Sequence, residues 1–194
     1  MDFLKKLFNL PIKETQEIQR QEVKLSLDDL FVHNFIDKGG KFLYCQKQAE
    51  VKENIAKILI ENNWKELFVR NDDLLKFINS KNIKTTKTNS KSLPFLTTCE
   101  HLISDHGDIL FSSNQLKSTK LSELSENFIV FATTSQLVKN TGEGLTGIKT
   151  NAKNNLPTNI SAVKNYSTQK NEDNFLNYGN SNTKNLYLLL LEDL

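Results

Sequence analysis

Leu186-Tyr187-Leu188-Leu189-Leu190-Leu191 is an unbroken apolar run closed by Glu192-Asp193. A strand with one face in water alternates apolar and polar residues, because successive side chains point to opposite sides. A run that does not alternate fits a strand covered on both faces, as in the middle of a parallel sheet whose crossover connections lie above and below it. Asn127–Thr133 (Asn-Phe-Ile-Val-Phe-Ala-Thr) has the same character. Shorter strand candidates stand at Phe95–Thr98, Asp108–Ser112 and Asn159–Val163.

The first half alternates helical and extended patterns. Ser26 with Asp29 three positions on forms an acidic variant of a capping box, and Leu27, Leu30, Phe31 and Phe35 give the helix that follows one apolar face. Gly39-Gly40 end it. Lys41–Cys45 reads as a strand. Residues 47–62 read as a helix with Val51, Ile55, Ile58 and Leu59 at helical spacing, and Leu67-Phe68-Val69 as a buried strand. Asn71 caps a helix over Asp72–Asn79, and Ile83–Thr86 reads as an edge strand. Such alternation predicts crossover units and a mostly parallel sheet. Further helices are expected near Thr134 and Glu172, and a mobile loop at the Lys-rich Thr85–Ser92.

The 194 residues are 38% hydrophobic, enough for one core, so residues 26–194 read as one domain. Ahead of it, Phe3, Leu4, Leu7 and Phe8 share one helical face with Lys5 and Lys6 opposite, and a polar stretch follows to residue 25. This amphipathic segment reads as a membrane-surface or partner-binding helix, or as one docked on its own domain or a neighbouring subunit. A net charge of +2, with basic residues scattered and mostly Lys, argues against a nucleic-acid surface. No apolar stretch has the length of a membrane span and no secretory leader pattern opens the chain, so the expected location is the cytoplasm. The two cysteines, Cys45 and Cys99, are too few for a four-thiolate iron–sulfur or zinc site within the chain.

Two clusters carry possible chemistry. Gly142-Glu143-Gly144-Leu145-Thr146-Gly147 matches the dinucleotide-binding glycine pattern letter for letter. The strand before it ends near Thr133, too early, and no acidic residue follows at the distance needed to hold a ribose. The plainer reading is a glycine-rich turn or a frayed helix end. The denser cluster is Cys99-Glu100-His101-Leu102-Ile103-Ser104-Asp105-His106-Gly107-Asp108, between two strands where a parallel sheet places its ligand crevice. Cys99, His101 and His106 form a conceivable zinc set, though spacings of two and five suit no single helix face. A Cys99–His101 nucleophile pair is a further possibility. The plain reading has Glu100 capping a short helix, Cys99 in the core and the imidazoles exposed.

The same cluster, Phe95 through Leu110, resembles the signature of the LUD (lactate-utilisation) family of the LutC/YkgG type. There a strand enters a loop with Thr, then Ala or Cys, then an acidic residue, and a short helix leads to an acidic residue, Thr and Gly. Thr97, Cys99, Glu100, Asp105 and Gly107 fall on the matching positions. Asn127–Gln136 resembles the family's strand followed by Ser-Gln, Leu156-Pro157-Thr158-Asn159-Ile160 its Leu-Pro-Ser-Asn-Ile stretch, and Leu186–Asp193 its closing strand. Phe95 replaces the usual Gly and His106 the usual Thr. Residues 164–173 and the turn Tyr178-Gly179-Asn180 depart from the family's ligand loops, so anion binding there would be altered or lost.

The resemblance implies a three-layer α/β/α fold of the NagB/RpiA/CoA-transferase-like group. It implies a subunit, non-catalytic or co-catalytic, of a complex oxidising L-lactate to pyruvate. In such a complex the iron–sulfur clusters lie in iron–sulfur and cysteine-rich partner subunits and no cofactor sits in this chain. A homo-oligomer is a further possibility. The site residues it implies are Glu100 and Asp105 as acid–base or nucleophilic groups, with Thr97, Thr98, Cys99, His106, Gly107 and Asn159 around a ligand. The rival expectation is an enzyme acting on a small anionic or acyl substrate through Glu100 or Asp105.

Overall fold

In the computed structural model, the structure describes residues 25–78, 82–152, 156–166 and 182–193. The amphipathic segment at 1–10, the polar stretch after it, the helix expected near Glu172 and most of the two divergent loops lie outside these residues.

The frame is a six-stranded, wholly parallel sheet in the order β1-β10-β7-β4-β2-β3. Its strands are β1 (Lys41–Cys45), β2 (Glu66–Val69), β3 (Lys84–Thr86), β4 (Phe95–Thr98), β7 (Asn127–Thr133) and β10 (Asn185–Leu191). The apolar run of β10 sits between β1 and β7, with Leu186 beside Phe128 and Leu190 beside both Ala132 and Tyr44. Its six apolar residues are all buried, as a doubly covered strand requires.

Alternate residues divide the core in two. Leu67, Val69, Leu96, Ile129, Tyr187 and Leu189 face α2 (Gln48–Glu61) and a 3-10 helix at Asp72–Phe77. Phe68, Phe95, Phe128, Val130, Leu186 and Leu188 face the other way, onto α1 (Leu27–Asp37) and a second sheet. Asn71 caps the 3-10 helix by accepting from the Asp73 N–H at 2.9 Å, and Ser26 caps α1 as its sequence predicts. In the stretch expected to be a mobile loop, Lys87 pairs with Asp72 at 2.7 Å, and Asn89 donates to the Glu123 carbonyl at 3.2 Å, both on the surface.

The second sheet has the order β8-β5-β6-β9: β8 (Leu137–Val138), β5 (His101–Ile103), β6 (Asp108–Ser112) and β9 (Ile160–Val163). It is built from the connections between β4 and β7 and between β7 and β10. The short helix expected after Cys99 is therefore a β-hairpin, with β5 antiparallel to β6. Leu102, Ile109, Phe111 and Val163 point inward to the main sheet. On the outer side lies α4 (Thr141–Asn151), while the single turn α3 (Ser113–Leu116) follows β6 and sends Leu116 into the core.

The glycine pattern is a correction. Residues 141–151 form helix α4, capped by Asn140, rather than a turn. A Cβ on Gly144 would stand 3.0 Å from Leu110 Cδ1 and 3.2 Å from Ile103 Cδ1, and one on Gly147 2.8 Å from His101 Nε2. The glycines let α4 lie flush on β5 and β6, and this close packing outweighs their poor helix propensity. No helix among the described residues is long and apolar enough to cross a membrane.

Candidate functional site

The carboxyl ends of β4, β7 and β10 meet at one edge of the main sheet. There a cleft of about 300 Å³ opens between the loop after β4, the turn after β7 and the end of α4. Glu100, His101, Asn114, Ser135 and Gln136 supply its polar wall, and Ile148, Ala152 and Pro157 its apolar one.

Glu100 is the most constrained group in it. Its backbone N–H donates to the Leu110 carbonyl at 2.8 Å, anchoring it at the root of the hairpin. One carboxylate oxygen, Oε1, accepts from the Ser112 hydroxyl at 2.5 Å, the Asn114 amide at 2.8 Å and the Gln115 amide at 3.1 Å. Ser112 also caps α3 by accepting from the Asn114 N–H at 3.0 Å, while Gln115 reaches back to the Ser112 N–H at 2.8 Å. A single capping box thus holds both the helix and the carboxylate. Among the described residues nothing bonds Oε2.

Gln136 ties the loop after β4 to the turn after β7. Its Oε1 accepts from the Thr133 N–H at 2.8 Å, and its Nε2 donates to the Cys99 carbonyl at 2.6 Å and the Glu100 carbonyl at 3.2 Å. The ends of β4 and β7 are thereby fixed to each other. His101 Nδ1 lies 3.3 Å from the Gln136 carbonyl while its Nε2 edge abuts Gly147.

Asp193, just past β10, accepts from the Thr134 hydroxyl (2.8 Å), the Ser135 N–H (2.9 Å) and the Ser135 hydroxyl (2.7 Å). Burial alone would raise its carboxyl, but the hydrogen bonds from Ser135, Thr134 and Thr133 outweigh it and hold the group at about 2.

The remaining candidates divide by position. Thr97 is buried with its hydroxyl turned to the Thr98 carbonyl at 3.1 Å, and Thr98 ends β4 half-buried. Cys99 is buried, and desolvation pushes its thiol well above the ordinary range, so it is a core group rather than a nucleophile. The Asn159 carbonyl accepts from the Ser113 N–H at 2.9 Å, bracing the Pro157 side of the cleft.

Asp105, His106 and Gly107 are a correction. They form the turn at the far end of the hairpin, against α1, because β5 carries the chain away from Glu100 at about 3.3 Å per residue. Asp105 and His106 are exposed there, and the Asn34 amide holds the turn through the Ser104 and Asp105 carbonyls at 2.9 and 3.2 Å. Only Glu100 and His101 of the cluster line the cleft. For the same reason Cys99, His101 and His106 do not converge, and among the described residues no three His, Cys, Asp or Glu side chains gather as a metal site. Sequence reasoning missed Ser112, Asn114, Gln115 and Asn151, uncharged residues without a diagnostic spacing, and read Ser135-Gln136 only as part of the family's strand-then-Ser-Gln element.

A family model described as the LUD domain matches residues 80–191. The chain is similar to a DUF162 family protein from Deinococcus radiodurans, solved as a crystal structure at 1.70 Å resolution. The identity is 15% and the TM-score 0.60, over 87% of this chain and 99% of that one. No curated protein matches the chain.

Proposed function

Because the chain belongs to the LUD domain family, which is associated with lactate utilisation, we propose that it serves as a subunit of an L-lactate-oxidising assembly, beside iron–sulfur and cysteine-rich partner subunits. The observation that carries this reading is the family match over residues 80–191, which spans the cleft-building loops and β10. Turning lactate into pyruvate removes two electrons and two protons, so the assembly has to carry an electron acceptor. With Cys45 and Cys99 both buried in the core, this chain's thiols are ill placed to bind a cluster, and in this reading the redox groups belong to the partners.

The test is capture of the tagged full chain from its native host under anaerobic conditions, with iron and acid-labile sulfide measured on the eluate. Co-purification of an iron–sulfur protein, together with loss of growth on L-lactate when this gene is deleted, is the expected result. Unchanged growth on L-lactate, or an eluate without iron, overturns it. The rival reading, an enzyme acting on a small anion or acyl group, keeps one supporting observation: the anchored Glu100 carboxylate in the cleft. Asp105 drops out of that reading by position. Turnover of lactate, pyruvate or an acyl-CoA by the isolated chain, abolished by Glu100→Gln, would favour it.

A further inference from the structure

We infer that Arg70 is the positioning residue of the Glu100 carboxylate, acting on it from the opposite end of α3. Arg70 follows β2 at the carboxyl edge of the main sheet, and its guanidinium lies 5.0 Å from the Phe68 ring centroid and 5.8 Å from that of Phe95. Phe68 and Phe95 are register partners in β2 and β4, so the side chain is laid out on a rigid surface. Its Nη1 donates to the Leu116 carbonyl and, at 3.4 Å, to the Gln115 carbonyl, and its Nη2 donates to the Thr119 hydroxyl at 2.7 Å. The final carbonyls of a helix are left over by its own bonds, and a cation beside them is favoured.

One residue joins the two groups. Gln115 gives its carbonyl to Arg70 and its side-chain amide to Glu100 Oε1 at 3.1 Å, while its own Oε1 receives the Ser112 N–H at 2.8 Å. A single turn such as α3 is too short to stand on its own bonds, and it ends on Lys117, a non-glycine residue at φ +55°. Such a backbone persists where its surroundings fix it, and Arg70 grips the chain on both sides of Lys117, at Leu116 and Thr119. Leu116 also anchors the turn in the core. One buried side chain leaves a turn free to swivel about it, whereas a planar guanidinium fork bonded at two points does not. Without Arg70, Lys117 relaxes, the turn rotates, and Gln115 and Asn114 leave the carboxylate. Glu100 is thus referenced to two bodies: the hairpin root through its backbone N–H, and the main sheet through Arg70. The inference rests on these contacts alone and stands apart from any role in a lactate-oxidising assembly.

The test observes Glu100 directly by NMR, in the full-length chain isotope-labelled at the glutamate carboxyl carbons and the side-chain amides. Arg70→Ala should move the Glu100 carboxyl signal and speed hydrogen exchange of the Gln115 side-chain amide by about tenfold, the effect of losing a hydrogen bond from a charged donor. The backbone amide signals of Leu43 and Leu189, in β1 and β10, should stay in place and show that the fold survives. Methylguanidinium at a non-denaturing concentration should restore both readouts and methylammonium should not, because only the planar group spans the two contact points. Thr119→Val removes one of those contacts and should displace the same readouts by a smaller amount. Lys184→Met, which frees the far end of the same loop at the Leu121 and Ser125 carbonyls, should leave Glu100 unmoved. Parent-like readouts in Arg70→Ala overturn the inference; if that variant loses the Leu43 and Leu189 signals, Thr119→Val decides in its place. Equal displacement of Glu100 in Lys184→Met also overturns it, as does rescue by methylammonium as complete as by methylguanidinium. Each of these results leaves the partner-capture experiment free to succeed or fail separately.

Discussion

Gly107→Ala should be among the most damaging single-methyl additions to this chain. Gly107 turns the β5–β6 hairpin with φ +65°, and a Cβ there would stand 2.5 Å from the Phe35 backbone nitrogen, 2.7 Å from the Asn34 carbonyl carbon and 2.9 Å from Phe35 Cα. The left-handed backbone costs an alanine about 1–2 kcal/mol. The clash is with helix backbone, which cannot rotate aside, so either α1 or the turn has to move, at about 1–3 kcal/mol for overpacking. Moving the turn also strains the bond from the Tyr166 hydroxyl to the Gly107 carbonyl (2.7 Å) and those from Asn34. The sum is about 2–5 kcal/mol, a large share of the ~5–15 kcal/mol that holds a domain together. In urea unfolding at ~2 kcal/mol per molar, the midpoint should fall by about 2 M with the slope unchanged. Gly107→Asn separates the two causes: asparagine tolerates the left-handed region but carries the same Cβ, so it should recover no more than about 1 kcal/mol. A midpoint within ~0.5 M of the parent for Gly107→Ala, or full recovery with asparagine, would refute the clash.

Gly144→Ala is a contrasting case. Its Cβ meets the side-chain tips of Leu110, Ile103 and Val138, and the helix gains about 1 kcal/mol of propensity, so urea stability should stay within about 1 kcal/mol of the parent. Ser112→Ala should lower the urea midpoint by the equivalent of about 1–2 kcal/mol by removing the α3 cap. Asp193 is held at about 2, below its ordinary 3.8, so the stability it contributes is present above pH 4 and is lost as pH falls towards 2; the gap in urea midpoint between Asp193→Asn and the parent should close over that interval. Lys184 is buried against the Leu121 and Ser125 carbonyls, each 2.8 Å away, and desolvation lowers it from 10.5 to about 8. The unfolded chain therefore binds the extra proton between those values. Stability should rise with pH from 8 to about 10.5, and that slope should be missing in Lys184→Met.

The main sheet was legible because its central strands are buried on both faces. Leu186–Leu191 and Phe128–Ala132 have no exposed side to interrupt the apolar run. Ser26, Asn71 and Gly39 were legible because caps act locally. The second sheet was not. β5 is three residues long and β8 two, too short to show a period, and both are held by partners far along the chain, as where Ser104 N–H meets the Val138 carbonyl. Helix α4 hid for a different reason: its glycines are selected by the close approach of Leu110, Ile103 and His101, and no local rule contains that information. At the cleft, Glu100 stood out as a charged residue at the end of a strand. Its three donors are ordinary polar residues 12 to 15 positions away, brought in by the hairpin.

The placement of β10 sets an order of events during synthesis. Among the described strands β1 pairs with β10 alone, and Lys41 meets Tyr187 across a separation of 146 residues. As the polypeptide leaves the ribosome, β1 and the helix packed on it emerge early and then wait, with an open edge and an unburied apolar side, until the stretch around Leu188 is free to slide in next to β7. Pairing at such a distance slows folding and prolongs exposure to aggregation. A holdase gripping the early segment, or a pause late in translation, would act on that interval and on nothing in the finished molecule.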